Sequence, residues 1–143
     1  MNLFFDTSAL FKLYHREEGT DELMNFFRKS SVNAIYLSEI TTIEFSSAVW
    51  KKCRKREINE NIAKKLIEKF DKDSEKFRFV PQNPELKNLA RNLIAKYWSD
   101  GLRTLDSLQL ASALKIKENI AIFLTSDKLL ADVAMHEGMN IKM

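Results

Sequence analysis

The sequence predicts an α/β fold, a central parallel β-sheet flanked by α-helices. Three observations carry this reading. Short β-type runs alternate with segments of helical periodicity, as crossover helices between parallel strands require. Residues 120–124 are wholly apolar, as a strand buried on both faces must be. Only 3 Gly and 2 Pro occur in 143 residues, which favours regular elements joined by short loops.

The elements follow in order. Residues 3–5 read as a first strand, with Asp6, Thr7 and Ser8 offering helix-capping side chains to a short helix through Ala9, Leu10 and Leu13. Gly19 breaks that helix, and residues 21–28 resume helical spacing. Residues 34–37 form a second strand, after which Ser38 is a cap for a helix carrying Ile40, Ile43, Phe45, Ala48 and Val49. Asn59 caps the next helix, and residues 77–80 make a third strand closed by Pro81 and Pro84. Leu86, Leu89, Ala90, Leu93, Ile94 and Tyr97 mark an amphipathic helix. After a loop at 99–101, Thr104 is read as the cap of a helix through Leu114. Residues 120–124 are the central strand, Thr125 or Ser126 caps the last helix, Gly138 stops it, and residues 140–142 form an edge strand.

With 45% apolar and 30% charged residues and no internal repeat, residues 1–143 read as one globular domain. No apolar run approaches the roughly 20 residues of a membrane span, and Asp6 comes too early for a secretory signal. The single cysteine, Cys53, excludes an intrachain disulfide, and a cytoplasmic setting is expected. A net charge of +3 is only mildly basic.

Four acids stand apart from the other carboxylates. Asp6 follows the first strand, Glu44 lies early in the helix after the second, Asp106 lies in the first turn of its helix, and Asp127 follows the apolar strand. In open parallel sheets, ligands bind beyond the carboxyl ends of the strands. Each acid shares its helix face with apolar or small residues: Ala9 and Leu10 for Asp6, Leu110 and Ala113 for Asp106, Leu130 and Ala131 for Asp127. Glu17, Glu18, Asp71, Asp73 and Glu75 sit instead among polar neighbours. Inward carboxylates raise one another's pKa, and unpaired burial of a charge costs several kcal/mol. A divalent cation resolves both. An all-oxygen donor set points to Mg²⁺ or Mn²⁺ rather than zinc, and to phosphate chemistry with an activated water. A lone Asp at a helix start is more often just a cap, and Asp6 and Asp127 both admit that reading.

These residues also carry a family resemblance. Leu3-Phe4-Phe5-Asp6-Thr7-Ser8-Ala9-Leu10 resembles the opening of PIN-domain nucleases. The segment around Glu44 resembles that of their second acid, the run from Leu102 through Asp106 to Ala111 that of the third in the VapC toxin branch, and the run from Phe123 through Asp127 to Ala131 that of the fourth. The resemblance implies a PIN fold and an Mg²⁺- or Mn²⁺-dependent endoribonuclease acting on RNA, the toxin of a toxin–antitoxin pair. It implies a VapB-type antitoxin partner and a homodimer, for which the aromatic segment 23–27 is a candidate surface. Asp6, Glu44, Asp106 and Asp127 match the acidic quartet. Thr7, Thr125 and Ser126 are expected to support those acids through their hydroxyls. Asp127 is the least secure ligand, with Asp132 as a fallback.

Arg103, Lys12 and Arg16 are candidate RNA phosphate contacts. The basic run at 51–56 reads instead as a solvated helix end, because a helix starting at the active end finishes some 25 Å away at about 1.5 Å per residue. His15, His136, Trp50 and Trp98 are read as surface or packing residues, and Cys53 is assigned no chemistry. Two rival functions remain open. One is a phosphatase or phosphotransferase with Asp6 as nucleophile, although Ser8 stands where such enzymes commonly carry a second Asp. The other is a non-catalytic RNA- or protein-binding module.

Overall fold

A computed structural model describes residues 1–143. Five parallel strands form one sheet in the order β3-β2-β1-β4-β5: β1 (Asn2–Phe5), β2 (Ala34–Ser38), β3 (Arg78–Val80), β4 (Ile122–Leu124) and β5 (Ile141–Lys142). The seven helices are α1 (Thr7–Phe11), α2 (Thr20–Lys29), α3 (Thr41–Arg54), α4 (Glu60–Asp73), α5 (Pro84–Lys96), α6 (Thr104–Lys115) and α7 (Lys128–His136).

The central strand is β1, not the run at 120–124. Leu3, Phe4 and Phe5 are all fully buried because β1 is covered on both faces. Alternation along β1 splits the core in two. Phe4 stacks on Phe123 with ring centroids 5.5 Å apart, on the side packed by α5, α6 and α7. Leu3 and Phe5 face Leu10, Phe45 and Phe70 from the helices of the first half, where Phe45 and Phe70 stack at 4.4 Å.

Several helix starts differ from the sequence expectation. Ser38 ends β2 and α3 begins at Thr41, although the Ile40 amide donates to Ser38 Oγ at 3.3 Å. Thr104 is the first residue of α6, and its preceding Arg103 caps without a side-chain bond. Asp127, rather than Thr125 or Ser126, caps α7 and accepts the Leu130 amide. Residues 120–121 precede β4, because a short 3-10 turn runs to Asn119. Ile43, expected inward, is 74% exposed, so the buried face of α3 runs through Thr41, Phe45 and Val49. Gly138 does end α7, at φ +87°, where a left-handed residue is needed.

The chain builds outward from β1 through β2 to β3, then crosses to the other side for β4 and β5. The carboxyl ends of β1 and β4 therefore flank the point where the strand order reverses, the place where open α/β sheets bind ligands.

Candidate metal centre

Asp6 leaves β1 at this point and is 4% exposed. Its backbone is extended because it caps α1, and its Oδ1 accepts the Ala9 amide at 2.9 Å. Ser8 Oγ donates to the same oxygen at 2.7 Å, and Thr125 Oγ1, just past β4, donates to Oδ2 at 2.5 Å. The cap and the site are one residue: capping fixes the rotamer that points the carboxylate into the switch point. Burial nevertheless dominates, raising the Asp6 pKa from 3.8 to about 6. The three donors oppose the shift and the Glu44 charge adds to it.

Glu44 sits in the first turn of α3 and is held from two sides. Thr7 Oγ1 donates to its Oε1 at 2.9 Å, and Gln109 Nε2 donates to the same oxygen at 2.7 Å. Gln109 is 3% exposed and reaches from α6 over the strand ends to Thr41 Oγ1 as well, at 3.0 Å. Burial raises the Glu44 pKa, the bonds from Gln109 and Thr7 oppose this, and the charge of Asp106 adds to it. Asp106, in the first turn of α6, is also raised, by burial and then by the charge of Asp127, against the lowering effect of Arg103.

The four sequence-predicted acids thus follow one another across the strand ends: the charge of Glu44 acts on Asp6, that of Asp106 on Glu44 and that of Asp127 on Asp106. They do not form a closed cage: no three potential ligand residues are gathered close enough to hold one ion as they stand. The donor chemistry still fits a hard divalent cation. All four are carboxylates, and Asp106 Oδ2 and Ser126 Oγ are buried without a hydrogen-bond partner. The nearest counter-charge to Asp106 is the Arg103 Nε, 3.6 Å from Oδ2 on a largely exposed side chain. A buried carboxylate oxygen without a hydrogen-bond donor is what a bound cation satisfies.

The supporting residues fall out unevenly. Thr7 and Thr125 bond the acids directly, as expected. Ser126 contributes its backbone amide, donating to Ser8 Oγ at 2.9 Å, and its hydroxyl bonds no acid. Asp132 is on the surface, paired with Lys128 at 2.6 Å, and does not join the cluster. Arg16 is spent on a two-pronged pair with Asp21, and Lys12 on Glu17 and the Glu18 carbonyl. Of the predicted phosphate contacts, Arg103 alone pairs with one of the four clustered acids.

Thr41 and Gln109 carry no assignment from sequence, and Ser8 only that of a helix cap. For Gln109 a signal exists. It lies at i+3 from Asp106 on a face otherwise completed by Leu110 and Ala113, and a buried amide there needs partners. The reading of residues 51–56 as remote from the site is overturned in part. A cleft of about 390 Å³ opens at Thr7, Ser8, Glu44 and Ser126 and is walled farther out by Lys51, Lys52 and Lys55. Those lysines recur at helical spacing from Glu44, so the helix carries them along the cleft rather than away from it.

The PIN domain family model matches residues 3–135, and the chain belongs to the PIN domain family. No curated protein matches it. Among solved structures it is similar to VapC20 of Mycobacterium tuberculosis, described as a sarcin–ricin loop cleaving toxin (TM-score 0.71, 14% identity, 96% of this chain and 95% of that one). It is similar to a chain of FitAcB from Neisseria gonorrhoeae (TM-score 0.72, 14% identity, 99% and 96% covered). A chain of VapBC-1 from nontypeable Haemophilus influenzae is a third (TM-score 0.69, 13% identity, 99% and 97% covered). At these identities the likeness shows the fold.

Proposed function

We propose that this protein is a Mg²⁺- or Mn²⁺-dependent endoribonuclease, the VapC-type toxin of a toxin–antitoxin pair. The observation that carries the proposal is the row of carboxylates at the switch point, with Asp106 Oδ2 buried, without a hydrogen-bond partner, and faced only by the largely exposed Arg103 at 3.6 Å. Asp6, Glu44 and Asp106 would hold the ion, and Asp127, whose Oδ1 is committed to its cap, would act from its other oxygen or through water. Such an ion, when bound, would supply Lewis-acid polarisation of the phosphodiester and would lower the pKa of a water so that it can attack as hydroxide. The protein's own residues set up that chemistry. Thr125, Ser8 and the Ala9 amide fix both oxygens of Asp6, and Gln109 and Thr7 fix Glu44. Arg103 stands at the rim beside Asp106, where a substrate phosphate would meet it.

An Asp6 nucleophile fits less well. Its side chain is buried, and Ser8, where such enzymes commonly carry a second Asp, is spent on donating a hydrogen bond to Asp6 itself. The likeness to VapBC structures supports an antitoxin of the VapB type as partner, and a homodimer is the assembly that the sequence resemblance implies. No helix is long and apolar enough to cross a membrane.

The test is cleavage of a broad RNA panel by purified, antitoxin-free protein with Mg²⁺ or Mn²⁺ and with EDTA. Metal-dependent cutting that Asp6→Asn abolishes is expected. Equal cutting in EDTA, or no cutting of any RNA, overturns the proposal.

A further inference from the structure

We propose that Lys51 and Lys55 form a phosphate-binding subsite of this protein, a wall that guides a single-stranded RNA backbone along α3 away from the carboxylate cluster. This deepens the ribonuclease reading and rests on it for the identity of the polyanion.

Geometry is the first support. From Glu44, positions i+7 and i+11 are Lys51 and Lys55, which return to nearly the same face of the helix at 100° per residue. The small Ala48, between Glu44 and Lys51, lines the same cleft and leaves the path open. At about 1.5 Å per residue, the two ammonium groups are rooted about 10 and 16 Å from Glu44 along the axis. That reach suits phosphates a few nucleotides along from one held at the carboxylates. Arg54 and Arg56, in the same basic run, do not line the cleft. If the run served only the dipole of the helix end, its cations would not need to share the Glu44 face.

Charge accounting is the second support. The outer cleft also contains Glu17 and Glu57, but both are occupied: Glu17 pairs with Lys12 at 3.3 Å and Glu57 with Lys52 at 2.8 Å. Lys51 and Lys55 enter no ion pair and are exposed. The wall therefore presents two unpaired cations beside a cluster of anions that repels an unassisted nucleic acid. A phosphate chain that must approach carboxylates gains most from cations placed where it leaves them.

The experiment measures binding of a fluorescein-labelled, mixed-sequence single-stranded RNA by anisotropy across a salt series. A Glu44→Gln background allows binding without cutting. Lys51→Ala/Lys55→Ala is compared with Arg54→Ala/Arg56→Ala, which removes the same charge from the same helix end. The lysine pair is expected to weaken binding several-fold and to flatten the slope of log K against log salt by about 1.4, at about 0.7 per neutralised phosphate of a single strand. The arginine pair is expected to change the slope much less. No RNA binding by the parent, an unchanged slope in the lysine pair, or equal losses in both pairs overturns the subsite. The lysine pair is also made with Glu44 intact. Cleavage with unaltered KM removes the subsite and leaves the nuclease reading standing. Weakened binding in a protein that cuts no RNA removes the nuclease reading and leaves the subsite standing.

Discussion

Thr125 Oγ1 donates to Asp6 Oδ2 at 2.5 Å across the seam between β4 and β1, joining residues 119 apart in sequence. The same Thr125 oxygen accepts the Asp127 amide at 3.0 Å, so one hydroxyl ties the buried acid to the loop that carries the fourth. Replacing Thr125 by Val keeps the shape and removes the donor. Loss of a hydrogen bond to a charged group costs about 1.5–3 kcal/mol, and loss of a supporting partner typically costs 10–100-fold in metal affinity. Thr125→Val is expected to bind Mn²⁺ about 10–100-fold more weakly by calorimetry, and Thr125→Ser to recover most of it. Unchanged affinity in the Val variant removes Thr125 from the site.

The raised pKa of Asp6 makes a signed prediction for the metal-free protein. Its folded value, about 6, lies above its ordinary value of 3.8. Below about pH 4 the group is protonated in both folded and unfolded chains and costs nothing. As pH rises through the interval from 3.8 to about 6, the unfolded chain ionises first and stability is lost. The loss amounts to about 3 kcal/mol for a displacement of this size. Glu44 and Asp106, both raised, act in the same direction. Thermal melts in EDTA should show the midpoint falling across this window, and Asp6→Asn should flatten the fall and stabilise the metal-free protein near neutral pH. A midpoint that rises through the window contradicts the assignment. Metal-dependent cleavage should show the opposite trend, increasing as pH passes about 6, because protons compete with the ion for the same oxygens.

The order of the elements and the place of the acids were legible in the sequence because both follow short-range rules. Asp6 directly follows β1, Asp127 lies three residues past β4, and Asn59 caps α4 as its type predicts. What was illegible depends on long-range geometry. The wholly apolar run at 120–124 looks central, yet Leu3, Phe4 and Phe5 are equally apolar, and only the strand order decides between them. Ile43 looks inward by composition, but α3 buries Thr41, Phe45 and Val49 against the core, which turns Ile43 to solvent. The far end of α3 is remote from Glu44, but Lys51, at i+7, returns to the Glu44 face only part of the way along the helix.

Gln109 is expected to matter beyond its own burial. Its amide donates to Glu44 and Thr41 from the opposite helical layer, while its Oε1 has no partner. Truncation to Ala leaves Glu44 with Thr7 as its single donor and opens a buried gap. The cost should be about 2–3 kcal/mol by denaturant melts, from lost hydrogen bonds and cavity formation together. Gln109→Glu keeps the volume but places another carboxylate against Glu44, and it should lower activity more than Ala does unless the pH is low enough to protonate it. If Glu is the better tolerated of the two near neutral pH, the donor role of Gln109 is wrong.

Arg103 and the proposed ion compete for Asp106, and their competition can be read thermally. In the present arrangement Arg103 Nε, 3.6 Å from Asp106 Oδ2, is the cation nearest to that oxygen. Because Arg103 is largely exposed, solvent screens the pair and its loss should cost the metal-free fold less than 1 kcal/mol. An ion at 100 times its dissociation constant stabilises the folded state by about 2.7 kcal/mol, which for a domain of this size raises the melting midpoint by roughly 5–11 °C. Arg103→Ala should melt within about 2 °C of the parent in EDTA and should retain or enlarge the Mn²⁺ shift, since the arginine no longer contends for the carboxylate. Asp106→Asn should shrink that shift instead, because it removes a proposed ligand. A Mn²⁺ shift undiminished in Asp106→Asn would mean that the ion sits elsewhere, and that Arg103 and Asp106 serve only as an ion pair at the start of α6.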